Sequence, residues 1–249
     1  MRRERGCERE ARGCEDALYT RECDHRLADF RQRRMDQKLL FLINREWIGP
    51  VLDRVMTAVS SSALWKWPFV ALLIAVLVRG GFRARAFVLV AGFAVLLCDS
   101  VAGYGIKRAV GRLRPHESEF GVRQLSLAYP PWHGIFQPVR EEISLGLGTE
   151  SAGRSFPSNH SANTACVALL AAIFFRRFGW LAFSPALIVA YSRVYTGSHW
   201  PSDVLGGIVL GLGVAMLALL LAESLWRRFA TRISPALAAR FPSLLSTTA

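Results

Sequence analysis

The sequence predicts an all-α fold, a polytopic bundle of helices that crosses a membrane five or six times. Of its 249 residues, 52% are hydrophobic and the mean hydropathy is +0.26, which is too apolar for an ordinary soluble enzyme. Its apolar segments approach the roughly 20 residues that a helix needs to cross about 30 Å of hydrocarbon. Short arginine clusters lie between these segments, as is typical of membrane proteins.

Four apolar segments are clear, and they cover residues 64–78, 86–104, 161–175 and 204–222. A fifth, residues 180–191, is short but extends into the stretch SRVYTGSHWPSD. Residues 39–60 are ambiguous, because charged residues interrupt the apolar pattern and Pro50 interrupts the helix. They predict either an amphipathic helix lying in the interface or a sixth crossing.

The net charge of +12 is unevenly distributed along the chain, and this distribution predicts which helix ends face the cytoplasm. The charges of residues 1–38, eleven Lys/Arg and nine Asp/Glu, nearly balance. The remaining excess lies in three clusters between apolar segments: Arg79, Arg83 and Arg85; Arg176 and Arg177; Arg227, Arg228 and Arg232. Because such clusters face the cytoplasm, the opposite helix ends should face the outer, periplasmic side of the cell (inner) membrane. The same distribution, without an aromatic and basic platform, argues against a nucleic-acid partner.

Composition divides the chain into three regions. We expect a charged, disordered N-terminal tail over 1–38, a membrane domain over 39–232 and a C-terminal tail over 233–249. Within the membrane domain, an outer loop covers residues 116–154, and loops of this length usually carry a function or are disordered. We expect a lid over the headgroup of a substrate.

Three groups of polar residues fall at helix ends on the predicted outer side. The run GIKRAVGRLRPHE contains Lys107 and Arg114, RSFPSNHSAN contains His160, and SRVYTGSHWPSD contains Arg193, His199 and Asp203. Lysine and arginine neutralise phosphoryl oxygens, and a guanidinium does so with two parallel hydrogen bonds. Pro157 and Ser158 mark one helix start and Pro201 another, and helix N-termini attract anions. Together these features predict a phosphate site.

The two histidines add catalytic chemistry to this site. A neutral imidazole can attack phosphorus when its other nitrogen is held by an acceptor, and Asp203 lies one helical turn after His199. His160, from another helix, can donate a proton to the leaving oxygen. No carboxylate cluster suited to Mg²⁺ lies near these motifs, so we expect neither a metal nor a cofactor.

The ordered set resembles the three-part signature of the type 2 phosphatidic acid phosphatase family, which includes vanadium haloperoxidases and bacterial acid phosphatases. Its parts are Lys107, six residues, then Arg114 and Pro115; Pro157 to His160; and Ser192 and Arg193, five residues, His199, three residues, Asp203. The resemblance covers roughly residues 39–226. It implies an α-helical bundle and a metal-independent phosphatase.

The resemblance also implies a role for each position. His199 would be the nucleophile, Asp203 its orienting partner and His160 the general acid. The phosphoryl oxygens would be held by Lys107, Arg114 and Arg193, with help from Ser158 and the backbone around Asn159. Asn159 departs from the family, which usually has glycine there, and this departure bears on substrate preference because the amide adds bulk and a donor near the anion.

The sequence therefore predicts an integral-membrane lipid phosphatase of phospholipid metabolism that acts through a phospho-histidine. Phosphatidic acid, phosphatidylglycerophosphate, a polyprenyl diphosphate and lipid A all carry a terminal phosphate that would fit. A lipid phosphotransferase with the same intermediate, or a non-catalytic lipid-binding or transport protein, are the alternatives. We expect Asp99 to be a structural partner of a motif cation, and His116 and His133 to be surface residues.

Overall fold

The computed structural model describes residues 34–148 and 154–245. The chain divides into two units, Met1–Leu39 and Leu40–Ala249, and every element below belongs to the second. The tail expected over residues 1–38 therefore lies almost entirely outside the described residues.

The described part of the second unit is mostly helical, as predicted. Its six helices of eleven or more residues are α1 (Pro50–Ser60), α2 (Ser62–Arg79), α3 (Phe82–Ser100), α4 (Asn159–Phe174), α5 (Phe183–Tyr195) and α6 (Pro201–Ile233). Shorter helical elements are Leu42–Glu46, Val101–Ile106, Lys107–Val110, Pro115–Ser118, Pro131–Gly134, Gly179–Ala182 and Pro235–Arg240.

Three helical segments in the described ranges are long and apolar enough to cross a membrane. They are Ser62–Arg79, Phe82–Ser118 and Pro201–Ile233. α4 has 16 residues and α5 has 13, both short of the roughly 20 that a perpendicular crossing needs. Within residues 39–60, the π-helical turn Leu42–Glu46 is separated from the 11-residue α1 by residues 47–49, and α1 begins at Pro50. The membrane-helix architecture is confirmed, and the number of crossings stays a prediction.

Helices α3, α4 and α6 pack around a core of small side chains. Ala94 and Cys98 of α3, Ala162 and Cys166 of α4 and Ala215 of α6 are all fully buried. The closest approach is at Gly211 of α6, where an added Cβ would lie 2.1 Å from the backbone oxygen of Ala162. Small residues allow helices in a membrane to approach this closely. The packing brings the first turns of α4 and α6 side by side.

The outer loop contains an antiparallel hairpin, so the all-α prediction is wrong in this loop. Strand β1 (Phe120–Ser126) pairs with β2 (Arg140–Leu145). Leu125 of β1 also donates its backbone N–H to Thr196, over 3.4 Å. The hairpin depends on contacts with the end of α5, which local sequence periodicity does not encode.

Residues after α6 fold back onto the helices. The ring of Phe241 stacks on Phe82 with centroids 4.2 Å apart, and Trp226 donates its indole N–H to the Phe241 carbonyl oxygen over 2.9 Å. Leu244 is buried in the core cluster of α3, α4 and α6. These contacts lie at the end of the bundle that carries Arg83 and Arg227, remote from the polar motifs.

Candidate active site

Asp203 lies in the first turn of α6 and is fully buried. Its Oδ2 accepts a hydrogen bond from the backbone N–H of Trp200 over 3.0 Å, which satisfies a donor at the start of the helix. Its backbone oxygen accepts the N–H of Ser158 over 3.0 Å. The carboxylate therefore lies where the starts of α4 and α6 meet.

Two residues that the sequence did not single out also hold this carboxylate. Arg112 donates to Asp203 Oδ1 over 2.8 Å, and Ser155 donates its hydroxyl to Oδ2 over 2.5 Å. Ser155 also donates its backbone N–H to the Arg112 carbonyl over 2.9 Å. We call Arg112, Ser155 and the Asp203 carboxylate that they hold the Asp203 clamp. The only sequence signal for Arg112 is its place between the two motif cations Lys107 and Arg114.

His199 lies beside the clamp, in the turn that joins α5 to α6, with 2% of its surface exposed. Its Nδ1 is 3.6 Å from Asp203 Oδ2, which is longer than a hydrogen bond, and this buried nitrogen has no hydrogen-bond partner among the described residues. Burial lowers the pKa of His199 to about 4, and the charge of Arg193 acts in the same direction while Asp203 opposes both. The imidazole is therefore neutral at pH 7, as a nucleophile requires.

A glycine sets the shape of the turn before His199. Gly197 has φ of +67°, in the left-handed region that other residues rarely adopt. A Cβ at this position would lie 2.5 Å from the backbone oxygen of Arg123 in β1. The turn can therefore lie directly against the outer-loop hairpin.

The cations of the first and third motifs meet around His160, the histidine of the second motif. His160, in the first turn of α4, lies close enough to interact electrostatically with Lys107, Arg114, Arg193 and His199. Lys107 is within the same range of Arg114 and Arg193. The structure thus brings together the residues that the sequence assigned to catalysis and to phosphate binding.

Arg193 is held from one side only. It donates Nη1 to the backbone oxygen of Ser60 over 3.1 Å and also to the Ser60 hydroxyl, while its buried Nε has no hydrogen-bond partner among the described residues. Arg193 and Ser60 line a cavity of about 310 Å³ that also borders Gln124 and Ser198. Of the residues assigned to phosphate binding or catalysis, Arg193 lines this cavity and the others do not.

Ser158 and Asn159 use their side chains for other contacts. The buried Ser158 hydroxyl caps α4 by accepting the backbone N–H of Ser161 over 3.4 Å. Asn159 donates its amide to Asp99 over 2.8 Å. The Ser158 N–H is also engaged, since it donates to the Asp203 backbone oxygen. What remains at these two positions for a phosphate is the backbone N–H of Asn159 in the first turn of α4, where N–H groups have no intrahelical partner.

A buried network fixes the hairpin against the catalytic stretch. Asn44 is fully buried; its amide donates to the backbone oxygens of Arg123 and Tyr195 over 2.9 and 2.7 Å, and its Oδ1 accepts the N–H of Arg123 over 2.8 Å. The Arg123 guanidinium also donates hydrogen bonds to Glu141 and Asp53. Burial lowers the pKa of Arg123, but the two carboxylates have the larger combined effect and raise it. β1 is thereby tied to the residues just before His199.

The remaining polar residues lie at the edge of the site or away from it. His116 is half-buried, and its Nδ1 is 2.9 Å from the carbonyl oxygen of Gly197, which places it closer to the site than the sequence predicted. His133 is exposed. Asp99 contacts Asn159 and Asn163, and its charge also acts on Lys107.

The described structure thus combines apolar helices long enough to cross a bilayer with a cationic, histidine-containing site at one end of them. Residues 84–227 match the model of the PAP2 superfamily. This match covers more than half of the chain, and the chain belongs to the PAP2 superfamily.

Curated relatives include enzymes of two kinds. The chain is 25% identical over 181 residues to the lipid A 4'-phosphatase of Bacteroides thetaiotaomicron, covering 71% of this chain and 72% of the relative. It is 23% identical to the undecaprenyl-diphosphatase of Bacillus subtilis, covering 67% and 73%. A putative undecaprenyl-diphosphatase of Escherichia coli is 36% identical over 92 residues, which cover 36% of this chain and 44% of that protein.

Two solved structures are also similar. LpxE of Aquifex aeolicus has a TM-score of 0.45 at 21% identity, covering 74% of this chain and 94% of that one. A PAP2 type phosphatidylglycerolphosphate phosphatase of Bacillus subtilis has a TM-score of 0.47 at 24% identity, covering 75% and 83%.

Proposed function

We propose that this membrane lipid phosphatase removes a terminal phosphate, from a monoester or a diphosphate, through a phospho-histidine on His199. The observation that carries the mechanism is the convergence of three motif cations on two imidazoles beside a buried, clamped carboxylate. The lipid A phosphatases and undecaprenyl-diphosphatases among its relatives support a lipid substrate.

The geometry supports the following division of work. Because His199 Nδ1 faces Asp203, the lone pair of Nε2 attacks phosphorus, and Asp203 stabilises the positive charge that develops on the ring. Lys107, Arg114 and Arg193 neutralise the phosphoryl oxygens as charge builds in the transition state. Burial and the nearby cations lower the pKa of His160 to about 3, so His160 must gain its proton when a phosphate dianion binds and offsets those cations. The protonated His160 then protonates the leaving oxygen, and water attacks the phospho-histidine.

Transfer to a second lipid is the alternative reaction, since water and a lipid hydroxyl would attack the same intermediate. A protein that only bound or transported lipids would need the cations and would not need the His199, Asp203 and His160 arrangement. Release of inorganic phosphate in detergent, with no acceptor lipid present, distinguishes hydrolysis from both alternatives.

We further propose that the chain lies in the cell (inner) membrane with the site on the outer, periplasmic side. The three arginine clusters lie at the helix ends remote from the motifs, which supports this orientation. The short α1 after Pro50 supports an interfacial position for residues 39–60, with five crossings in the bundle.

The test is phosphate release by the purified chain in detergent, with excess EDTA, from phosphatidic acid, phosphatidylglycerophosphate, undecaprenyl diphosphate and lipid A. Side-chain cations replace a metal in the proposed site, so at least one lipid should be hydrolysed at an undiminished rate with EDTA. His199→Ala should abolish both turnover and the acid-labile phospho-enzyme. Loss of activity on chelation with recovery on added metal, or phospho-enzyme in His199→Ala, contradicts the mechanism.

A further inference from the structure

Asp99 is a carboxylate that the proposed chemistry does not use. It lies near the end of α3, in a segment apolar enough to cross a membrane, and its side chain is exposed. Ionisable side chains in such segments are costly, and those that occur usually mark a functional site.

Asp99 is held against the first turns of α4. Its Oδ1 accepts the amide of Asn159 over 2.8 Å and the amide of Asn163 over 3.1 Å. Asn159 immediately precedes His160, and Asn163 follows it by less than one turn. The two amides therefore hold the carboxylate beside the turn that carries His160.

This position determines which part of a substrate Asp99 meets. In the proposed mechanism His160 protonates the leaving oxygen, so the atoms bonded to that oxygen lie next to the first turn of α4. The same mechanism puts the phosphoryl group among Lys107, Arg114 and Arg193, the cations whose charges act on His160. The proposed mechanism thus puts Asp99 beside the leaving group, while its charge also reaches Lys107.

A carboxylate accepts hydrogen bonds and repels anions. Both described contacts of Asp99 use Oδ1, and the side chain is exposed, so it can accept further donors. A hydroxyl or N–H on the alcohol that bears the phosphate would be favoured there. A diphosphate would place a second phosphate at the same point, since its leaving group is a lipid phosphate.

We propose that Asp99 is a specificity-determining residue that selects the leaving group, favouring a phosphate monoester on a sugar or polyol lipid over a polyprenyl diphosphate. The proposal rests on the proposed phosphatase function. The side-chain amides of Asn159 and Asn163 position the carboxylate.

The test compares the wild-type chain with Asp99→Asn and Asp99→Ala on lipid A, undecaprenyl diphosphate and p-nitrophenyl phosphate. The ratio of kcat/KM for lipid A to that for the diphosphate should fall roughly tenfold in both variants, the size expected for one hydrogen bond to a charged group. Activity on p-nitrophenyl phosphate should stay within about twofold, because its leaving group carries neither a donor nor a second phosphate.

Ser100→Ala is the matched control, because Ser100 is an exposed neighbour on α3 whose hydroxyl donates to Leu96 within the same helix. The control should leave the ratio unchanged. Thermal melting in detergent shows whether each variant is folded. If Asp99→Ala does not fold, Asp99→Asn still tests the proposal, because asparagine has nearly the same size and shape as aspartate. An unchanged ratio in an active Asp99→Asn enzyme overturns this proposal alone. A wild-type chain inactive on every phosphate overturns the proposed function and this proposal with it.

Discussion

At the scale of single residues, Asp203 joins all three sequence motifs. The Arg112 guanidinium comes from the first, the Ser155 hydroxyl from just before the second, and Trp200 and His199 from the third. Arg112 also donates to Ser202 over 2.6 Å and lies 5.0 Å from the centre of the Trp200 ring. In the proposed mechanism Arg112 is therefore a positioning residue, because it holds the carboxylate that would orient His199.

Replacement of Arg112 should therefore slow the chemical step and leave phosphate binding intact. In Arg112→Ala we expect kcat on p-nitrophenyl phosphate to fall roughly 10- to 100-fold, the equivalent of one hydrogen bond between charged groups, with KM unchanged. Arg112→Lys, which keeps the charge, should recover part of the loss. Steady-state kinetics measure both constants.

The matched control is Arg108→Ala, since Arg108 is exposed in the short helix Lys107–Val110, just before Arg112, and lies 5.4 Å from the ring of Tyr104. Its kinetics should match the wild type. A rise in KM without loss of kcat in Arg112→Ala would show that Arg112 binds the substrate phosphate instead.

At the scale of elements, the contact between α4 and α6 sets the distance between His160 and His199, the two histidines of the proposed mechanism. His160 begins α4, and His199 lies just before α6. Gly207 and Gly211 of α6 face Ser158 and Ala162 of α4, where added Cβ atoms would lie 2.5 and 2.1 Å from backbone oxygens. Backbone atoms cannot yield as a flexible side chain does, so any larger residue must separate the helices.

Gly211→Ala should accordingly lower both stability and activity. Overpacking of this kind costs about 1–3 kcal/mol, and separation of the helices moves His160 away from His199. Gly213→Ala is the control, because Gly213 lies on the same helix with nothing within 4 Å of its added Cβ. Thermal melting and phosphate release measure the two effects, and equal behaviour of the two variants would contradict the close-packing explanation.

The outer-loop hairpin is a second element that supports the site. Asn44 and Arg123 tie β1 to the end of α5. Gly197, which has no Cβ, allows the turn after α5 to lie directly against β1. Strand β1 is therefore a fixed wall of the catalytic stretch. We predicted a lid over residues 116–154. Because β1 is fixed in place, that prediction now concerns only the residues of this loop outside β1.

At the scale of the whole molecule, the bundle separates two kinds of positive charge. The motif cations lie at one end, and the arginines that indicate orientation lie at the other. The two ends of a membrane-spanning bundle contact water on opposite sides of the membrane. A reagent that cannot cross the membrane therefore reaches only one of these two ends.

The proposed orientation predicts which side an impermeant thiol reagent can reach. In a variant whose five native cysteines are replaced by alanine, Phe136→Cys in the outer loop should be labelled in intact cells. Arg177→Cys, exposed after α4, should be labelled only after permeabilisation. Gel shift of the labelled chain measures both. The reverse pattern would place the active site in the cytoplasm.

The sequence by itself determined the class of protein and the residues expected to act. Apolar segments of membrane length and cations at their ends are local features, and the spacing of His199 and Asp203 over one helical turn needs no tertiary information. The family resemblance rests on the same linear order.

Only the tertiary structure decided how those residues are held. Arg112 is 91 residues from Asp203, Asn44 is 79 from Arg123 and Asn159 is 60 from Asp99, and each pair meets only because of how the elements pack. The register of β1 against α5 and the approach of Gly211 to Ala162 likewise depend on neighbours distant in the chain. Periodicity and propensity describe the face that a segment buries, and they do not specify the partner that this face meets.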